Sequence, residues 1–172
     1  MEDWTKDLTT RGGLDVHIRP AQADDDDALG TFFHGVTPED MRFRFLTGLR
    51  VVSHDRLESM TDVDHRQTEN FLAFAKGRPE IIATAMLACT DDMENGEVAI
   101  AILPEFKKKG LSWELLTHVA RFAEDKGVKT LQSVESRDHH AAIDMELEMG
   151  FTATSYPGDA SLVLVQRALS TT

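Results

Sequence analysis

The chain has 172 residues with 41% hydrophobic content, and its 18 basic against 30 acidic residues give a formal charge of -12. That size suits one domain with a continuous core, and the acidic balance repels nucleic-acid phosphates and anionic lipid while suiting cationic or amine-bearing partners. No window approaches the roughly 18 apolar residues of a membrane span, the opening MEDWTKDLTTRGG has no basic-then-apolar leader, and the one cysteine, Cys89, cannot form an internal disulfide. A cytoplasmic protein without nucleic-acid or membrane partners is expected.

Residues 1–14 are polar and end in Gly12-Gly13, which reads as a flexible arm before a single domain over 15–172. Val16 and Ile18 alternate with His17 and Arg19 in a short strand that Pro20 stops. Asp24 is the N-cap candidate of a helix with Ala28, Leu29, Phe32 and Phe33 on one face, and the acidic run Asp24 to Asp27 suits the helix dipole better than a metal. Thr37-Pro38-Glu39-Asp40 starts a helix running to about Leu46, and Ser53 caps another with Leu57 and Met60 turned inward.

Three strand-like runs follow at 71–75, 81–89 and 97–103, separated by short turn signals that favour an antiparallel meander. Leu115, Leu116, Val119, Ala120 and Ala123 form a helical stripe ending at Gly127. Residues 128–134 give a strand, His139 to Met149 a helix, and FTATSY and SLVLVQ two final strands. Met41, Met60, Met86, Met145 and Met149 fall on apolar faces and are assigned to the core.

The chemistry concentrates in EVAIAILPEFKKKGLSWELL, residues 97–116, where a strand passes through a basic loop into an amphipathic helix. Helix N-termini expose unpaired backbone N–H groups, and a tight glycine loop can curl such groups around phosphate. Lys107, Lys108 and Lys109 set positive charge there against the global balance. The same residues would also suit a solvated loop opening a helix at a glycine.

This segment resembles the diphosphate loop of the GNAT N-acetyltransferase superfamily, Q/R-x-x-G-x-G/A. Gly110 matches, Lys107 stands for Gln or Arg, and Ser112 for Gly or Ala, with Lys108, Lys109 and Leu111 between them. The preceding LPE and the EMGF at 148–151 are similar to two further landmarks of the family. The resemblance implies an α/β (α+β) fold with a central, mostly antiparallel mixed sheet of six to seven strands flanked by about four helices. It also implies acetyl-CoA as co-substrate, with no metal, and an amine acceptor. Residues 37–75 look like the acceptor-side region of the GNAT domain of bacterial protein lysine acetyltransferases, through TPED, Arg44-Phe45, Ser53-His54, Thr61 and Asp64.

Carried residue by residue, the likeness puts Glu97 at the general-base position and makes the strand ending at Ile102 and Leu103 part from the next one. Backbone groups would then be free for the pantetheine arm, with an N–H near Ile102 polarising the thioester oxygen. Ala99 and Ala101 are small enough for that approach, while Glu97 could equally be a solvated residue beside Gly96. His139 stands where the family often has an asparagine, within reach of the cofactor. Glu146 occupies the position of the tyrosine that protonates the leaving thiolate, and the single tyrosine, Tyr156, lies outside the motif, which leaves the general acid unassigned.

Cys89 as an acyl carrier lacks an adjacent base. His139-His140 and Asp62 to His65 lack the spacing of a three-ligand metal set, so Asp64 and His65 are assigned to packing or the acceptor cleft. The leading acceptor is a protein lysine side chain. Alternatives are a small polyamine- or aminoglycoside-like amine, or a catalytically weak CoA-binding sensor, and a homodimer covering sheet edges fits any of these.

Overall fold

The computed structural model describes residues 3–46 and 52–169; the extreme ends of the expected arm and domain, and residues 47–51 of the acceptor-side segment, lie outside them. Eight strands form one sheet: β1 (Lys6–Thr9), β2 (Asp15–Pro20), β3 (Thr68–Ala75), β4 (Ile81–Cys89), β5 (Asn95–Ile102), β6 (Thr130–Ser136), β7 (Thr152–Ser155) and β8 (Leu162–Ala168). Their spatial order is β1-β2-β3-β4-β5-β6-β8-β7. Every neighbouring pair is antiparallel except β5 and β6, which run parallel. The architecture is the expected mixed α/β one, with one strand and one helix more than the upper expectation among the described residues.

Helices α1 (Asp26–Gly35), α2 (Pro38–Phe45) and α3 (His54–Thr61) cover one face of the sheet; α4 (Leu111–Asp125) and α5 (His140–Glu148) lie on the other. Strand alternation feeds both cores. Leu72 and Phe74 of β3 join Leu29, Phe32, Phe33, Met41 and Met60, whereas Phe71 and Ala73 join Leu115, Leu116, Val119 and Phe122. The expected inward residues of α3 and α4 fall where their spacing put them, as do Leu29, Phe32 and Phe33 of α1, but Ala28, expected on the same face, is exposed. Met86, Met145 and Met149 are only partly buried at the margins of the two cores.

Local chemistry sets the helix starts. Thr37 Oγ1 accepts the Asp40 N–H at 3.1 Å and Ser53 Oγ accepts the Arg56 N–H at 3.2 Å, each fixing one orphan donor. Asp24 does not cap α1. A 3-10 turn over Ala23–Asp25 precedes that helix, and Asp25 instead takes the Gln22 N–H at 2.7 Å and both Arg19 guanidinium nitrogens at 2.7 and 2.8 Å.

The segment read as a flexible arm is a docked hairpin. β1 pairs with β2 from Lys6 opposite Ile18 to Thr9 opposite Asp15. Trp4 packs edge-on against His118 and Phe122 at 5.7 and 5.3 Å, and its carbonyl lies 2.9 Å from His118 Nε2. Gly12 donates its N–H to the Lys109 carbonyl at 3.0 Å, so the hairpin tip is seated on the basic loop before α4. Polar residues on one side of so short a strand conceal its pairing in the sequence. The close approach needs glycine, because a Cβ on Gly12 would sit 2.7 Å from Lys109 Cα and its carbonyl oxygen. Gly12→Ala is expected to destabilise the protein by about 1–3 kcal/mol, read as a lower urea midpoint; an unchanged midpoint would mean that this contact is not formed.

Candidate active site

The parallel ladder between β5 and β6 holds only from Asn95 opposite Thr130 to Glu97 opposite Gln132. Beyond it the two strands diverge, and a cleft of about 400 Å³ opens between Val98 to Ile102 on one side and Ser133 to Glu135 on the other. β4 still pairs with β5 as far as Ile102, so that strand stays straight while its other edge loses its partner. Small side chains, Ala99 and Ala101, keep the wall open.

At the far end of β5, Leu103 to Gly110 turn into α4. Lys108 and Gly110 both have positive φ, 62° and 85°. The first helical bond runs from the Glu114 N–H to the Gly110 carbonyl at 3.3 Å, and among the described residues the N–H groups of 108–113 have no backbone partner. They form a concave donor array at the positive end of a 15-residue helix. Arg11, at the tip of the β1–β2 hairpin, lies over the Trp113 ring at 4.5 Å and adds a cation to this mouth.

The three lysines behave differently. Lys108 lines the cleft. Lys107 lines it too, but its Nζ is held 2.6 Å from Asp40 Oδ2, so part of its charge goes into tying the loop to α2. Lys109 is not on the wall, and its carbonyl is the seat of Gly12. Leu103 is off the wall as well, packed beside the α1–α3 core, whereas Ile102, Gly110, Leu111, Ser112 and His139 line it.

Glu97 lies at the last paired position before the strands part, exposed, on the β5 face that α2 and α3 cover. Its charge is felt by Arg44 of α2. Burial, with repulsion from Arg56, lowers that guanidinium to about 10, and Glu97 partly offsets the effect. Arg44 Nη2 lies 3.7 Å from the sulfurs of both Met60 and Met86, and its Nε has no partner.

The wall opposite β5 holds a chain of polar groups. Ser133 Oγ donates to Glu135 Oε1, Glu135 Oε2 lies 3.0 Å from His139 Nδ1, and the His139 ring stacks on Phe43 of α2 at 4.1 Å. Behind them sits Glu146, 3% exposed and the one buried residue of α5. Its Oε1 has no hydrogen-bond partner. Burial first, then the negative charge of Glu135, push its carboxyl up to about 9, so Glu146 holds its proton at neutral pH.

Residues assigned elsewhere stay elsewhere. Asp64 accepts the Thr68 and Arg66 N–H groups at 2.9 and 3.0 Å in the turn before β3, and His65 lies 3.0 Å from the buried Glu69. Neither lines the cleft. Burial raises the Cys89 thiol to about 11, and it lies off the cleft. Among the described residues no three His, Cys, Asp or Glu side chains converge as metal ligands, and no helix is long and apolar enough to cross a membrane. Sequence reading missed Arg11, Asp40, Phe43 and Glu135 as cleft residues. For Glu146 a signal existed: it falls in the same helical stripe as Ala142 and Met149, a carboxylate in an apolar row.

The acetyltransferase (GNAT) family profile matches residues 38–151. An acetyltransferase of Pseudomonas aeruginosa is 26% identical over 170 residues, which cover 98% of this chain and 90% of that protein. Among solved structures, the GNAT domain of Streptomyces lividans PAT superimposes with a TM-score of 0.89 at 22% identity, over 96% of this chain and 97% of that one. Spermidine N-acetyltransferase from Vibrio cholerae, in complex with CoA and spermine, gives 0.71 at 15% identity, over 89% and 95%.

The raised Glu146 carboxyl fixes a pH dependence. The folded chain keeps a proton that the unfolded chain releases above 4.5, so this group lowers stability progressively as pH rises from 4.5 to about 9. Glu146→Gln removes the effect, and its urea midpoint should gain on wild type between about pH 5 and about pH 8. A constant difference across that window would show that the carboxyl is ionised in the folded protein.

Proposed function

Since the chain belongs to the acetyltransferase (GNAT) family, we propose that it transfers an acetyl group from acetyl-CoA to a primary amine by direct attack, with a protein lysine side chain as acceptor and Glu97 as general base. The observation that carries this reading is the unpaired edge of β5 leading straight into a loop with free N–H donors at 108–113. Acetyl-CoA is the family's acyl donor, and these residues fit it. The donor array, with Lys108 and Arg11 beside it, suits a diphosphate. The open strand edge suits an amide-bearing arm.

When bound, the donor supplies an activated acyl carbon; the chain's own groups orient the arm and move protons. A backbone N–H on the free edge, near Ile102, polarises the carbonyl oxygen. A lysine amine, with a pKa near 10.4, arrives protonated. Glu97, exposed beside the point where the strands part, takes that proton directly or through one water. A second, open groove past Phe43 carries the carboxylates Glu39 and Asp138 against one cation, Arg42, a balance that suits a cationic acceptor chain. The overall charge of -12 acts in the same direction.

Thiol release from acetyl-CoA, followed with lysine-bearing peptides and with spermidine, tests the assignment. Turnover with peptides supports the protein-lysine acceptor, and turnover with spermidine alone would replace it by a small amine. Glu97→Gln should lower kcat/KM by about 10²- to 10⁴-fold while calorimetry shows an unchanged acetyl-CoA affinity. Full turnover in that variant would remove Glu97 as the base. Tight acetyl-CoA binding without thiol release for any amine would instead identify a sensor.

A further inference from the structure

A carboxyl that is buried and protonated beside a reaction cleft can give a proton but cannot take one. Glu146 is such a group. It lines the same cleft as Val98 to Ile102, its Oε1 lacks a partner, and no apolar residue of α5 is buried as deeply. Packing alone would favour an apolar side chain there, since a carboxyl without a full set of partners costs free energy when buried.

Its surroundings form a path to the surface. Glu135 and Ser133 of β6 meet the carboxyl, Glu135 lies 3.0 Å from His139, and the His139 side chain reaches the cleft mouth with a quarter of its surface exposed. Across the cleft, α2 presents Asp40, paired with Lys107, and Arg44; of all these, Glu135 is the one that acts on Glu146 as a charge.

Resting on the acetyltransferase reading above, we propose that Glu146 is the general acid of the reaction, donating its proton to the departing sulfur and regaining one through Glu135 and His139. The step balances. Glu97 first takes the ammonium proton and passes it to solvent; the neutral amine nitrogen then bonds to the acyl carbon and loses a second proton to Glu97, the carbon–sulfur bond breaks with its electron pair on sulfur, and the sulfur takes the Glu146 proton. The proton held at Glu97 then passes to solvent, and solvent restores Glu146. A free thiol has a pKa near 8.5, so a carboxyl raised to about 9 is matched to this leaving group.

Two readouts test it. In the free protein, the carboxyl ¹³C resonance of Glu146, identified by its loss in Glu146→Gln, should remain that of the protonated form through neutral pH; ionisation near the ordinary glutamate range would overturn the proposal without any turnover assay. In thiol-release assays, wild-type kcat should fall on an alkaline limb, and Glu146→Gln, which keeps the site neutral and near-isosteric, should lose about 10²-fold in kcat and that limb with it, at unchanged acetyl-CoA affinity. Wild-type kcat and an intact limb in the variant would overturn the proposal alone. No thiol release from wild type with any amine would instead bring down the acetyltransferase reading, and the acid with it.

Discussion

Past Glu97 and Gln132 the parallel ladder between β5 and β6 breaks off, and the site is arranged around that break. Backbone N–H and C=O groups in a sheet are normally paired, and leaving several without partners beside an apolar wall costs about 1 kcal/mol or more for each. β5 holds its shape because β4 pairs with it to Ile102 on the other side. The break is therefore rigid, which makes the free edge a preformed template for an extended, amide-containing chain. At its outer end the chain turns through Lys108 and Gly110, both with positive φ, into the N-terminus of α4. One continuous segment thus offers an edge and then a ring of donors.

Charge is sorted along this segment. Arg11 and Lys108 sit at the loop end, and the carboxylates Glu97 and Glu135 lie nearer the point where the strands part. An anion held at one end and a proton-shedding amine met at the other are both favoured by that gradient. The Lys107–Asp40 pair joins the loop to α2, and the Phe43–His139 stack joins α2 to the start of α5. Those two contacts fix the distance across the cleft mouth, while the docked hairpin of residues 6–20 braces the loop from outside.

How far the residues disclosed this depends on how local each cause is. Helix caps at Thr37 and Ser53, the inward stripes of α3 and α4, and the loop around Gly110 are written within a few positions, and each appears where its spacing puts it. The fold class followed from those pieces, and the family resemblance placed the strand separation. What stayed hidden is set by contacts between distant segments. Gly12 on Lys109 and Trp4 on His118 join positions about a hundred residues apart, so residues 1–14 looked like a loose arm. Lys107, Lys108 and Lys109 look equivalent in sequence, yet a salt bridge and a hairpin seat give them three different tasks. The helical stripe marks Glu146 as an inward carboxyl, but its raised carboxyl also depends on Glu135, a residue on another element.

Amide hydrogen exchange with and without acetyl-CoA examines the free backbone groups themselves. Adding acetyl-CoA should slow exchange at residues 108–113 and along Val98 to Ile102, and leave the α1–α3 core unchanged. Unaltered exchange across both stretches at saturating acetyl-CoA would mean that the parted strands and the loop do not hold the acyl donor.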